Sequence, residues 1–244
     1  MRLMLMTLFC LAGLAQASAT DLQIVTEEFP PYNYQTNGEA KGLSVEVMEA
    51  VLDEIGEEAE FAFYPWARSY LTAQNRKNTL IFSIGRIPER EDLFEWVGVI
   101  APFNTSFYKL ASNGAIQIGT LDEAKQYSVG VSVEDVIYQY LKGQGFTNLE
   151  VVGQDVLNIR KLALGRLDLI AFDEASFAHR VVLEELEPTL FQQVYRLEGL
   201  SGDLYMAFNK DSNPDLVDRF RSGLQKIKEN GRYDEILMRY QLMN

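Results

Sequence analysis

Hydrophobic positions along this chain recur at two spacings, and the switches between them mark the elements. Leu22-Gln23-Ile24-Val25-Thr26 reads as a strand. Leu43, Val47, Val51 and Ile55 then fall four apart on one face, which predicts a helix over 43–55 with Gly56 as its stop. Phe61 to Tyr64 is a short strand, Pro65-Trp66 opens a helix that fades near Asn75, and Leu80 to Ile84 is a buried strand. This β-α-β-α-β order predicts a parallel sheet covered by helices.

The pattern restarts past Pro102. Thr120-Leu121-Asp122-Glu123 is a capping box for a short helix. Tyr127 to Val131 is a strand, and Ser132 is placed to cap a helix that runs to Lys142 and ends at Gly143 and Gly145. Strand Leu149–Val152, helix Asp155–Leu164, strand Leu167–Phe172 and a helix from Glu174 complete a second α/β unit. The chain closes with a strand over 204–208, a long helix entered at Pro214 with Leu216, Phe220, Leu224 and Ile227 on one face, and a last helix over 233–240. There is no short-period repeat and no low-complexity linker, so the two units are expected to be joined by short strands.

The first residues read as a leader. Met1-Arg2 precedes an apolar run of about a dozen residues, too short to span a bilayer comfortably. Ala17-Ser18-Ala19 fits a small-x-small cleavage site, so residues 1–19 are expected to be removed, and with them Cys10, the one cysteine. An uncleaved membrane anchor is the alternative. The net charge of −13 would repel nucleic acid and anionic lipid and suits a small-molecule or protein partner. His179 is the one histidine, so a transition-metal site would have to be carboxylate-rich, and neither a metal nor a cofactor is expected.

The most telling stretch is Arg86-Ile87-Pro88-Glu89-Arg90-Glu91-Asp92, which follows the apolar strand Thr79–Gly85. A guanidinium at such a strand end is a planar, permanent charge that a small carboxylate could reach. Locally, Arg90 could equally be a surface arginine paired with Glu89, Glu91 or Asp92.

Four segments together resemble the periplasmic solute-binding proteins of bacterial polar amino-acid uptake, the extracellular family 3 type. They are Ile24 to Tyr34, Gly42 to Met48, Ile84 to Asp92, and the pair Met206–Asp211 and Leu224–Ile236. The resemblance implies a type II periplasmic-binding-protein fold, α/β, with a ligand cleft between two hinged lobes. Lobe 1 would hold residues 20–106 plus 204–244, and lobe 2 residues 107–203. It further implies a non-catalytic receptor in the periplasm, a monomer that delivers an amino acid or similar small polar molecule to an inner-membrane ABC permease.

The same resemblance places Arg90 on the ligand's carboxylate and Asp173 on its amine, with Glu27, Ser83 and Gly85 beside them. Asp173 could also serve as a simple helix cap. Tyr32, Tyr34 and Trp66 could stack on the ligand or pack under the loop. Arg86 and Arg68 are candidates for the cleft wall, Glu28 for a second acid, and Ser132 for an anion-binding helix start. The turn Ser132-Val133-Glu134-Asp135 departs from the Gly- and Thr-rich turn of typical members, which leaves the ligand's identity open. Two other readings stay open: an enzyme on the same scaffold, of the cyclohexadienyl dehydratase kind, and a stand-alone sensor.

Overall fold

A computed structural model describes residues 22–240. The leader expected over 1–19, with Cys10, lies outside the described residues. Among those described, no helix is long and apolar enough to cross a membrane.

The chain begins with β1 (Gln23–Thr26), a small hairpin of β2 (Tyr34–Thr36) and β3 (Glu39–Lys41), and α1 (Leu43–Ile55). β4 (Phe61–Phe63), α2 (Trp66–Asn75) and β5 (Thr79–Gly85) follow. A 3-10 turn over Pro88–Leu93 leads into β6 (Phe94–Phe103), and β7 (Thr105–Leu110) starts after a single residue, Asn104. The second unit adds α3 (Leu121–Ala124), β8 (Val129–Ser132), α4 (Val136–Gly143), β9 (Leu149–Val152) and α5 (Val156–Ala163). It ends with β10 (Leu169–Asp173), α6 (Glu174–Leu183) and β11 (Phe191–Arg196). β12 (Gly202–Asn209), α7 (Pro214–Glu229) and α8 (Arg232–Arg239) then rejoin the first unit.

Two five-stranded sheets result. The first has the order β4-β1-β5-β12-β6, with β4, β1 and β5 parallel and β12 antiparallel to both its neighbours. The second has the order β11-β7-β10-β8-β9, with β10, β8 and β9 parallel. Period-two alternation fills both faces of the first sheet. Ile24, Leu80, Phe82, Met206 and Phe208 pack under α1, α7 and α8, while Val25, Ile81, Ile84 and Ala207 pack under α2. A sheet apolar on both faces must be covered on both, which is why helices flank it.

Helix α1 follows its sequence pattern to the residue, and Gly56 ends it in the left-handed region at φ 66°. The capping box at Thr120 forms as read. Ser132, by contrast, is not a helix cap. It ends β8, and α4 starts four residues later with Asp135 as its cap, accepting the Ile137 amide at 2.6 Å. Glu134 takes φ 57° between them, and that left-handed residue prevents the helix from starting at Ser132.

Strand β6 carries no clear strand signal, because Gly98 and Pro102 interrupt it. The proline is tolerated because β6 is an edge strand, where a missing N–H leaves no ladder gap.

The loop between β1 and β2 is held against α1 at Gly42. This glycine has φ 118°, and a Cβ there would stand 2.3 Å from the Tyr32 carbonyl oxygen. The amides of Leu43 and Ser44 donate to the carbonyls of Pro31 and Tyr32 at 3.1 and 2.8 Å. Backbone, not a flexible side chain, sets this approach, so no neighbour can yield. Gly42→Ala is expected to destabilise the fold by about 2–4 kcal/mol. Chemical denaturation measures this, and wild-type stability in the variant would contradict the close approach.

Candidate functional site

The two sheets meet along a crevice, and the residues at its walls come from strand ends and helix starts of both units. On the lobe 1 side are Glu27 and Phe29 from the β1–β2 loop, Trp66 from the start of α2, Ser83 and Gly85 from β5, and Arg90. Facing them on the lobe 2 side are Ser132, Asp135, Asp155 and Asn158, with Asp173 at the end of β10. Phe103 and Leu204, from the strands where the chain passes between sheets, form an apolar floor. The cavity measures about 40 Å³, and bonds from Tyr32 to Asp173 and from Trp66 and Arg90 to the Glu134 carbonyl cross between the lobes and hold them shut around it.

Arg90 is fully buried. The 3-10 turn that begins at Pro88 swings its side chain inward, while Arg86, just before the turn, points the other way. Nε of Arg90 donates to Gln139 Oε1 at 2.9 Å, Nη1 to the Gly85 carbonyl at 3.1 Å and Nη2 to the Glu134 carbonyl at 2.8 Å. The plane lies 4.7 Å from the Tyr70 ring centre and 5.6 Å from that of Trp66. All three acceptors are neutral, and two belong to lobe 2. Trp66 also donates from Nε1 to the Glu134 carbonyl at 2.7 Å. That oxygen therefore serves two donors of lobe 1 at once, and the left-handed turn at Glu134 is what presents it.

Asp173 is 1% exposed, lines the cavity and caps a helix at the same time. Its Oδ1 caps α6 by accepting the Ser176 amide at 2.8 Å. Its Oδ2 accepts the Tyr32 hydroxyl at 3.2 Å and the Asn104 amide at 3.3 Å. Burial pushes this carboxyl up to about 7 despite the three donors, because they do not replace the lost water.

Ser83 owes its position to a bulge. The pairing of β5 with β12 shifts at this point, so Ser83 is the extra residue, at φ 59°. Its hydroxyl donates to Asn33 Oδ1 at 2.5 Å, and Asn33 Nδ2 donates to Thr26 Oγ1 and to the Glu27 carbonyl. This chain of bonds fixes the loop that carries Glu27.

Several expected residues lie elsewhere. Arg86 is not at the cavity: it forms a bidentate pair with Glu91 and lies over Trp96 and Tyr205. Arg68 is exposed, with its guanidinium 3.9 Å from the Tyr64 ring centre. Tyr34 packs beside His179, away from the cavity. Glu28 sits at an outer mouth of the crevice, and its carboxylate accepts the Gln35 amide. Conversely, sequence reading noticed Asp135 only as part of the atypical turn after Ser132, and did not single out Asp155, Asn158, Phe103 or Leu204. Asp135 and Asp155 both sit at helix starts, where an aspartate reads as a cap, and both do cap.

The acids share the crevice unevenly with the guanidinium groups. Burial first, then Asp155 and Asp135, holds Glu27 well above the usual carboxylate range, and Arg180 and Arg90 offset this in part. Burial likewise raises Asp135, and lifts Asp155 to about 6 although Arg180 Nε lies 2.9 Å from it.

Residues 22–243 match the bacterial extracellular solute-binding proteins, family 3. A probable histidine-binding protein of Campylobacter jejuni is 22% identical over 218 residues, which cover 88% of this chain and 82% of that protein. Two of the solved structures that share the fold cover nearly the whole chain. One is a histidine kinase sensor domain with similarity to periplasmic binding proteins (TM-score 0.81, 18% identity, 92% of this chain and 96% of that one). The other is an ancestral arginine-binding protein bound to arginine (TM-score 0.77, 20% identity, 91% and 98%). The two-lobe α/β architecture and the match over nearly all of the described residues lead to one conclusion: this chain belongs to the bacterial extracellular solute-binding proteins, family 3.

Proposed function

We propose that this chain is a non-catalytic periplasmic receptor that binds an amino acid between its lobes and delivers it to an inner-membrane ABC permease. The observation that carries the reading is Arg90: a fully buried guanidinium at the lobe interface whose bonds go to neutral oxygens. A carboxylate is the stronger partner for such a fork. It would take the place of the Glu134 carbonyl, whose two donors, Arg90 and Trp66, would then serve the ligand. Asp173 supplies the complementary acceptor for an ammonium group. The relative named as a probable histidine-binding protein supports the amino-acid class. The Met1–Ala19 leader pattern supports export. The lobes of this receptor divide where the chain leaves the first sheet at Asn104 and where it returns between Leu197 and Gly202.

The cavity is small because the lobes are shut, so ligand entry requires them to part. Ligand then favours the shut form by contacts that exist only there. In this reading the oxygens of Asp173 serve the Ser176, Tyr32 and Asn104 donors and, in the ionised form, the ligand's ammonium as well.

Two outcomes are expected in calorimetry of the ligand-stripped protein. First, at least one standard amino acid binds. Arg90→Lys keeps the charge but loses the fork, and weakens that binding by about 2–3 kcal/mol. Retention of full affinity in this variant, with the fold intact by circular dichroism, would remove the carboxylate role.

Second, affinity depends on pH in a set direction. An ammonium group needs the ionised form of Asp173, and with a carboxyl near 7 that form is the minority below neutrality. Affinity is expected to rise about tenfold from pH 6 to pH 8. Asp173→Asn should weaken binding and flatten this rise. A flat profile in the wild-type protein would contradict the amine contact.

A further inference from the structure

We propose that Gln139 is a positioning residue for the ligand: its side-chain amide stands between the Glu134 carboxylate and Arg90, and so keeps the guanidinium available to a carboxylate from outside. The inference rests on the reading of Arg90 as the partner of the amino acid's carboxylate.

The difficulty that Gln139 resolves is set by the sequence. Two acids, Glu134 and Asp135, stand in the turn that meets the buried guanidinium. A carboxylate of the chain itself, tethered beside Arg90, competes with any ligand anion, because a tethered group acts at high effective concentration. The Glu134 carbonyl already reaches Arg90 Nη2 at 2.8 Å, so the acid of the same residue is held close by. Burial pulls the pKa of Arg90 down, and Tyr70, Asp135 and Glu134 offset this in part, so the field of both acids reaches it. Yet the three bonds of Arg90 all go to neutral oxygens.

Both acids are engaged elsewhere. Asp135 turns back to its own helix and accepts the Ile137 amide at 2.6 Å. The Glu134 carboxylate accepts Gln139 Nε2 at 3.2 Å, while Oε1 of the same amide accepts Nε of Arg90 at 2.9 Å. An amide accepts at one end and donates at the other, so it satisfies a guanidinium and a carboxylate at once without letting them meet. A glutamate in its place would itself pair with Arg90, and a lysine would leave Nε without an acceptor.

The backbone supports this spacing. Glu134, at φ 57°, lies just before α4, and Gln139 comes one turn into that helix, its backbone N–H donating to the Asp135 carbonyl at 3.1 Å. Arg90 belongs to lobe 1, whereas Glu134 and Gln139 belong to lobe 2. The acid and its spacer therefore approach the guanidinium together as the lobes close. With Nε held by Gln139, the two Nη groups, which carry most of the N–H donors, are the end left for a ligand.

Calorimetry of the ligand-stripped protein, with each standard L-amino acid as probe, decides the matter in variants whose fold is checked by circular dichroism. Gln139→Leu roughly keeps the size and suits a helix but removes both bonds. It is expected to weaken binding of the tightest probe about tenfold or more, as Glu134 takes Arg90. Glu134→Gln removes the competing charge and is expected to tighten that binding about threefold. The double variant should regain at least the wild-type affinity, since an amide at position 134 can accept from Nε. Wild-type affinity in Gln139→Leu would overturn the inference, and so would weaker binding in Glu134→Gln. A loss that persists in the double variant would mean that Gln139 acts through packing alone, and would overturn it too. In each of these cases the receptor reading stands. Silence from every probe with the wild-type protein would overturn both.

Discussion

A guanidinium sealed from water must meet acceptors on every side, and Arg90 finds them in two lobes at once. Its charge persists under burial because arginine holds its proton far more tightly than any other side chain. Its bonds to Gly85 anchor it in lobe 1, and those to Glu134 and Gln139 tie it to lobe 2. Much of the surrounding structure can be understood as serving this one requirement. The 3-10 turn at Pro88 aims the side chain, Tyr70 and Trp66 cover its plane, and the Glu134 turn offers a backbone oxygen where a stronger anion would otherwise be needed.

Two left-handed residues that are not glycine make this possible. Ser83 bulges out of β5 and fastens the loop of Glu27 and Tyr32 through Asn33. Glu134 delays α4 by one turn and turns its carbonyl to the crevice. Each departs from the backbone region that L-residues prefer, at a cost of about 1–2 kcal/mol. Both lie in the crevice wall or directly beside it, where strained backbone is commonly found in proteins that bind ligands.

The fold was legible where periodicity and caps agree. Helix α1 repeats every four residues and stops at a glycine, and the capping box of α3 consists of two side chains that each need the other. It was least legible near the crossings. Pro102 and Gly98 mask β6, and only its place at the sheet's edge explains why it forms. Arg90 and Asp173 were readable because a resemblance across the whole chain supported them. Arg86 resembled Arg90 in sequence, and only the turn between them separates an inward side chain from an outward one. Asp155 escaped notice because an aspartate at a helix start is fully explained as a cap, and Asp135 was seen only as part of the atypical turn after Ser132. Their charge facing the crevice becomes visible only when the two sheets are placed together.

The passages between the sheets are bonded to each other. Phe103 pairs with Gly202, the Leu197 amide donates to the Thr105 carbonyl at 2.8 Å, and the Thr105 amide donates to Ser201 at 3.1 Å. Two strands stitched in this way bend as one strip. If the halves part as the proposed function requires, the bend falls in this shared strip. Substitutions in this strip, out of reach of any bound guest, would retune how readily the jaws close.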